Sequence, residues 1–136
     1  MDLLARREHS RLELERKLSA REFDRDLIAD VLDELEQDGL LSLERFGQSF
    51  VASRYAKGQG PRRIRLELAE RGVELESAWL EDEQFDWDAL ARDTRVRRFG
   101  AAKPSDLKER ARQTRFLEYR GFSHDQIRQA LDFADE

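Results

Sequence analysis

The chain has no cysteine, two prolines and two histidines in 136 residues, and its longest stretch without a charged side chain is eight residues, 46–53. Each shortage closes off a class of protein. Without cysteine there is neither a disulfide scaffold nor a thiolate metal site, and a reducing cytoplasm is the expected location. Eight uncharged residues fall far short of the ~20 that a membrane-spanning helix needs, and of a signal-peptide core. No membrane association is expected. His9 and His124 stand beside helix caps and are expected to be exposed, and no helix carries the paired histidines of a metal site. No glycine-rich phosphate loop follows a strand. No pair of carboxylates sits in an apolar setting that would raise a pKa for acid–base work. The chain therefore reads as a non-enzyme without a cofactor.

What is present is charge. Charged residues make up 40% of the chain and hydrophobic ones 39%, with a mean hydropathy of -0.83. That is lean for a compact globule and suits thin helical layers. The formal net charge is -5, but it is laid out in blocks. Residues 1–52 carry eight basic and thirteen acidic groups, and residues 74–93 carry one and eight. Residues 53–73 carry six basic and two acidic groups, and residues 94–128 carry ten and four. A plain nucleic-acid binder is usually basic overall. Basic faces on an acidic chain suit a partner of both signs, or helical surfaces laced with salt bridges.

The apolar residues recur at helical spacing throughout, and nowhere with a period of two. Leu3 and Leu4 lead a polar run to His9 that looks like the end of a helix. Ser10 with Glu13 is a capping-box signature, opening a helix to about residue 21. Asp24 caps a second helix through Ile28, Val31, Leu32 and Leu35 until Gly39 stops it. Ser42 opens a third, carrying Phe46, Phe50, Val51 and Tyr55. Gly58 and Gly60 end it, and Pro61 takes the first helical position of the next, where proline is best tolerated. Ile64, Leu66 and Leu68 give that helix its apolar stripe and Gly72 closes it. Residues 74–83 read as a helix with Leu75, Ala78 and Trp79 buried. Asp86 caps another, ending near Gly100. After Pro104 a helix from about residue 105 to 120 carries Leu107, Ala111, Phe116 and Leu117, and Ser123 with Gln126 caps the last. Trp79 and Trp87 are expected to pack between the second and third parts of the chain.

An internal repeat organises these helices. The segment LSAREFDRDLIADVL from Leu18 matches LEYRGFSHDQIRQAL from Leu117, and LAERGVELESAWL from Leu68 is a middle copy. A period near fifty residues marks tandem helical modules, each too small to bury a sufficient core alone. The expected fold is all-α, three tandem three-helix modules (1–41, 42–84, 85–136) stacked into an elongated, curved body, and monomeric. Candidate contact residues cluster near the joints: Arg54, Tyr55, Lys57, Arg62, Arg63 and Arg65, then Arg95, Arg97 and Arg98, then Arg112, Arg115 and Arg120. Arginines outnumber lysines 21 to 4, which favours forked contacts to carboxylate or phosphate. Arg62, Arg63 and Arg65 also follow a helix N-terminus whose amides attract anions.

The stretches LLARREHSRLELERKL, SRYAKGQGPRRIRLELAERGV, FDWDALARDTRVRRFG and ARQTRFLEYRGFS resemble the bacterial RecX family, regulators of the RecA recombinase. The likeness spans essentially the whole chain, most specifically at Gly60-Pro61-x-x-Ile64-x-x-Glu67-Leu68 and Arg115-Phe116-Leu117-x-x-Arg120-Gly121-Phe122. Gln59 stands where the family often has an aromatic, and family members commonly have extra residues before Leu3. The resemblance implies a non-enzymatic protein that lies in the helical groove of the RecA filament and inhibits ATP hydrolysis and strand exchange. From the basic faces, a weak contact to single- or double-stranded DNA is expected as a secondary activity. The alternative from another class is a sequence-independent DNA-binding helical protein, since helix pairs joined at Gly72 and Gly121 superficially resemble DNA readers.

Overall fold

Cap residues and glycines divide the chain. A computed structural model describes residues 7–133, and among these it contains eight helices and no strand. They are α1 (Arg11–Ala20), α2 (Arg25–Gln37), α3 (Leu43–Ala56), α4 (Pro61–Glu70), α5 (Ser77–Leu80), α6 (Trp87–Phe99), α7 (Leu107–Arg120) and α8 (His124–Asp132). Both capping boxes form. The Ser10 hydroxyl accepts the Glu13 amide at 3.1 Å while the Glu13 carboxylate accepts the Ser10 amide at 3.0 Å. Ser123 and Gln126 make the same pair of bonds at 3.2 and 2.9 Å. Asp24, Ser42 and Asp86 cap α2, α3 and α6 through their side chains.

The repeat is visible in the backbone itself. The amides of Phe23, Val73 and Phe122 donate to the carbonyls of Leu18, Leu68 and Leu117 at 3.4, 2.9 and 3.1 Å. In each case the preceding residue is left-handed: Glu22 (φ 64°), Gly72 (φ 74°) and Gly121 (φ 99°). This helix-terminating turn stands at the same place in each module, and Gly39 and Gly58 close two further helices in the same way. Its first copy uses a glutamate where the others use glycine.

Three separate cores follow. Leu14, Ile28, Leu32 and Leu41 form the first, with Leu18 and Leu35 at its margin. Phe46, Phe50, Val51, Ile64, Leu68, Val73 and Trp79 form the second. Ala91, Leu117, Phe122, Ile127, Ala130 and Leu131 form the third. Phe85 and Trp87 pack against the second core, so that core reaches into the start of the third module. The accessible surface is 9126 Å², above the roughly 7400 Å² expected of a compact monomer of this mass. A row of small cores carries that excess.

Several local expectations change. Helix only spans Ser77–Leu80 where a longer one was expected over 74–83, and the following Glu81, Asp82 and Glu83 are an exposed turn. Trp79 is not between modules. It lies over Gly47 in the second core, where a Cβ would fall 2.3 Å from its ring, and its indole N–H reaches Glu44 at 3.0 Å. Leu66 and Leu107 do not join cores: α4 buries Ile64 and Leu68 and α7 buries Leu117, leaving both leucines on outer faces. Ala111 is exposed with them. The helix expected from about residue 105 begins at Leu107, capped by Asp106. His9 is 2% exposed instead of open to solvent. The expected helix end at Leu3 and Leu4 lies outside the described residues; residues 7–10 are not helical.

Candidate functional site

The candidate site is assembled where the second and third modules meet, and two glycines allow the meeting. The carbonyls of Arg120 and Gly121, at the end of α7, accept the amides of Gly60 and Arg62 at 2.8 and 2.9 Å. A Cβ on Gly60 would sit 2.6 Å from the Gly121 carbonyl, and one on Gly121 would sit 2.4 Å from the Arg63 Cβ. The N-terminus of α4 was expected to attract an external anion. Instead the negative end of α7 satisfies it.

Side chains close the same seam. The Tyr55 hydroxyl accepts the Asp86 amide at 3.0 Å and donates to the Asp86 carbonyl at 3.3 Å. Its ring packs on Phe85 and Trp87, with centroids 4.7 and 5.0 Å away. Tyr55 is thereby held as packing and is not free to stack on a base. Arg63 donates to the Tyr119 carbonyl at 3.3 Å, lies over the Tyr119 ring at 4.8 Å, and stands 3.6 Å from Glu67. Arg54 is tied into the second module by Glu67 at 2.8 Å and by the Phe50 ring at 4.3 Å.

Beside this seam opens a cleft of about 380 Å³ lined by Lys57, Gly58, Asp93, Thr94, Arg97, Arg98, Phe116 and Arg120, with Tyr55 at its wall. Four cations face one carboxylate. Lys57, Arg97 and Arg98 make no ion pair among the described residues. Arg120 donates to the Lys57 carbonyl at 3.1 Å and, like Arg98, lies over the Phe116 ring. Positive groups held on aromatic and backbone supports lose little freedom on meeting an anion. The cleft thus brings together Tyr55, Lys57, Arg97, Arg98 and Arg120 from the candidate set.

The other candidates lie elsewhere. Arg62 and Arg65 are exposed on the outer side of α4. Arg112 pairs with Glu109 at 2.9 Å and covers the Phe99 ring, while Arg115 is exposed. Arg95 is not a contact residue. It is 1% exposed, and its guanidinium donates to the carbonyls of Ala130, Ala102 and Ala101 and to the Gln113 side chain at 3.0, 3.2, 3.4 and 3.2 Å. Burial lowers its pKa, and the carbonyl dipoles stand in for a carboxylate. Sequence reasoning missed Gly58, Asp93, Thr94 and Phe116. The 93–97 spacing on one helix face was the available signal for Asp93. No cluster of His, Asp or Glu able to hold a metal occurs among the described residues. No described helix is long and apolar enough to cross a membrane.

Comparison with known proteins agrees with the three cores. Residues 1–35, 44–77 and 86–131 match the models of the first, second and third RecX three-helix domains. Regulatory protein RecX of Halorhodospira halophila (strain DSM 244 / SL1) is 50% identical over 136 residues, covering 98% of this chain and 84% of that protein. Regulatory protein RecX of Ectopseudomonas mendocina (strain ymp) is 48% identical, covering 100% and 92%. The crystal structure of RecX from Lactobacillus salivarius aligns with a TM-score of 0.74 at 20% identity, over 95% of this chain and 87% of that one. A second crystal structure of a regulatory protein RecX aligns with a TM-score of 0.78 at 19% identity, over 97% and 68%. With all three domain models matched in order, and relatives near half identical over almost its full length, the chain belongs to the RecX family.

Proposed function

We propose that this protein regulates RecA by lying in the helical groove of the RecA–DNA filament and inhibiting ATP hydrolysis and strand exchange. On this reading it modulates recombination, DNA repair and the SOS response in the cytoplasm, with no catalytic step of its own. The supporting observation is the cleft where Lys57, Arg97, Arg98 and Arg120 converge, none of them in an ion pair among the described residues. Such a cleft suits carboxylates on a protein partner and phosphates beside it. Three modules, divided at 41/42 and 84/85, let several weak contacts act together. Linked contacts of this kind gain affinity through effective concentration.

The test is the RecA ATPase rate on single-stranded DNA, titrated with this protein and with a Lys57→Glu, Arg97→Glu, Arg98→Glu variant. Inhibition below a one-to-one ratio that the variant relieves would support the reading. No inhibition by the folded wild-type protein at equimolar ratio would sink it.

A second reading, direct sequence-independent DNA binding, draws on the same four cations. It predicts DNA affinity without RecA that falls steeply with salt. Neutralising three or four phosphates gives a logarithmic slope of about -3. A flat salt dependence would leave only the protein-directed reading.

A further inference from the structure

We propose that this chain associates head to tail with a second copy of itself, the α2 face of one molecule meeting the N-terminal part of α7 on the next. The inference goes beyond the regulatory reading and does not depend on it.

The turn at Glu22, Gly72 and Gly121 occupies the same place in each module. In the second module the Gly72 turn docks on α1 of the first, where a Cβ would meet the Leu12 side chain at 2.8 Å. In the third module the Gly121 turn docks on α4 of the second, at Arg63. Both contacts place the turn of one module against the first residues of the corresponding helix of its neighbour. The geometry leaves two ends unused. The turn of the first module, at Glu22 and Phe23, lies in an exposed run, with Phe23 50% and Leu27 52% exposed. The matching helix start in the third module, Leu107 and Lys108, is equally bare, and Leu107 is 84% exposed. No hydrogen bond or ion pair among the described residues joins residues 7–41 to residues 86–133, so these two ends are not engaged with each other within one molecule.

Charge selects the pairing. Residues 22–38, which include α2, carry eight acidic groups and one basic. Asp26, Asp30 and Glu34 share the exposed side of α2 with Leu27. The exposed side of α7 carries Lys108 and Arg115 beside Leu107, Ala111 and Tyr119, with Arg112 paired to Glu109, and with Glu118 towards the helix end. The α2 strip is bordered mainly by acidic groups, with Arg25 the one base, and the start of α7 is bordered by Lys108 and Arg115, so the predominant signs are opposite. A contact between unlike patches on identical molecules is heterologous, and it propagates as an open row instead of closing into a dimer. Glu22 keeps that row weak. Its side chain forbids the backbone approach that Gly121 permits, so the contact rests on Phe23, Leu27 and the charges. The sequence led to an expectation of a monomer; the two unused ends make the monomer the dilute, high-salt limit of an associating system.

Sedimentation equilibrium of the full chain at low and high salt tests this. The expected result is a weight-average mass that rises above 16.0 kDa with concentration at low salt and returns to it at high salt, where charges are screened. An Asp30→Lys, Glu34→Lys variant and a Lys108→Glu, Arg115→Glu variant should each be monomeric alone, since their two ends then repel. Mixed in equal amounts they should associate again, because both kinds of contact recover opposite signs. All four positions are exposed, so folding should survive, and helical circular dichroism checks it; Leu107→Ser is the fallback for a variant that does not fold. A wild-type chain that stays at 16.0 kDa at low salt up to millimolar concentration overturns the proposal. So does association that neither charge-reversed variant weakens. A monomer whose Lys108 and Arg115 changes alter only DNA affinity would assign the α7 face to nucleic acid instead.

Discussion

Replacing Gly60 by alanine isolates the contact between the second and third modules. Gly60 has φ -86° and ψ 169°, a conformation open to any residue. With no neighbour, the change would be neutral or would stabilise by about 0.4–1 kcal/mol through the unfolded chain. In this fold the added Cβ would stand 2.6 Å from the Gly121 carbonyl and 2.7 Å from the Phe122 nitrogen. These are backbone atoms and cannot swing aside. Relief requires the modules to separate, with loss of the Gly60–Arg120 and Arg62–Gly121 hydrogen bonds at 2.8 and 2.9 Å. Two such bonds, with their buried groups left unmatched, cost about 2–4 kcal/mol. That corresponds to a melting temperature lower by roughly 10 °C for a chain of this length. Gly39→Ala is the control: its φ of 73° carries local strain, but nothing lies within 4 Å of the new Cβ. Thermal denaturation gives the stability, and hydrogen exchange at the Gly60 and Arg62 amides locates the opening. A Gly60→Ala protein as stable as the wild type, with both amides still protected, would refute the account of the seam.

Two further outcomes follow from buried groups. Arg95→Met should destabilise by about 3–5 kcal/mol, because four acceptors lose a charged donor in the interior; Arg97→Met, on the exposed side of α6, should change denaturation by less than about 0.5 kcal/mol, and equal effects would contradict the assignment. His9 donates from Nδ1 to the Arg7 carbonyl at 3.0 Å and meets the Lys17 ammonium at Nε2, 3.2 Å away. Burial, then the charges of Arg7 and Lys17, hold its pKa below the ordinary 6.5. The unfolded chain therefore binds a proton that the folded chain resists. Stability should fall as pH drops from about 6.5, with a slope of at most about 1.4 kcal/mol per unit, and should level off once the folded ring is itself protonated. His9→Gln should flatten the difference between melting temperatures at pH 7.5 and 5, and an unchanged pH profile would rule the ring out.

Element positions were largely legible because their signals are local. Ser10, Ser123, Asp24 and Pro61 act within one helical turn, and each begins the helix expected of it. The turn repeat was legible for the same reason. The misreadings were tertiary. Leu66 and Leu107 share their helices with Ile64, Leu68 and Leu117 at spacings that leave the side facing each core undetermined until the neighbour is placed. Arg95 and Arg97 lie two residues apart in one basic run; only the position of α8 sends the first inward to the Ala130 carbonyl and leaves the second in the cleft. Charge composition cannot see that difference. Likewise the anion-seeking start of α4 was a correct reading of the helix, but its occupant, the end of α7, comes from sixty residues further on.

The placement of the two tryptophans has an optical consequence. Trp79 is sealed in the second core and Trp87 sits on the seam, its indole N–H donating to the Leu80 carbonyl at 2.9 Å. The first module has no tryptophan, and the third has none beyond the seam. Intrinsic emission therefore watches the middle of the molecule. It is blind to the first module and, through Trp87 against Tyr55, sensitive to the wall of the basic cleft. A chain whose N-terminal module had come apart would keep the spectrum of an intact one, while an event at the cleft would register without any label.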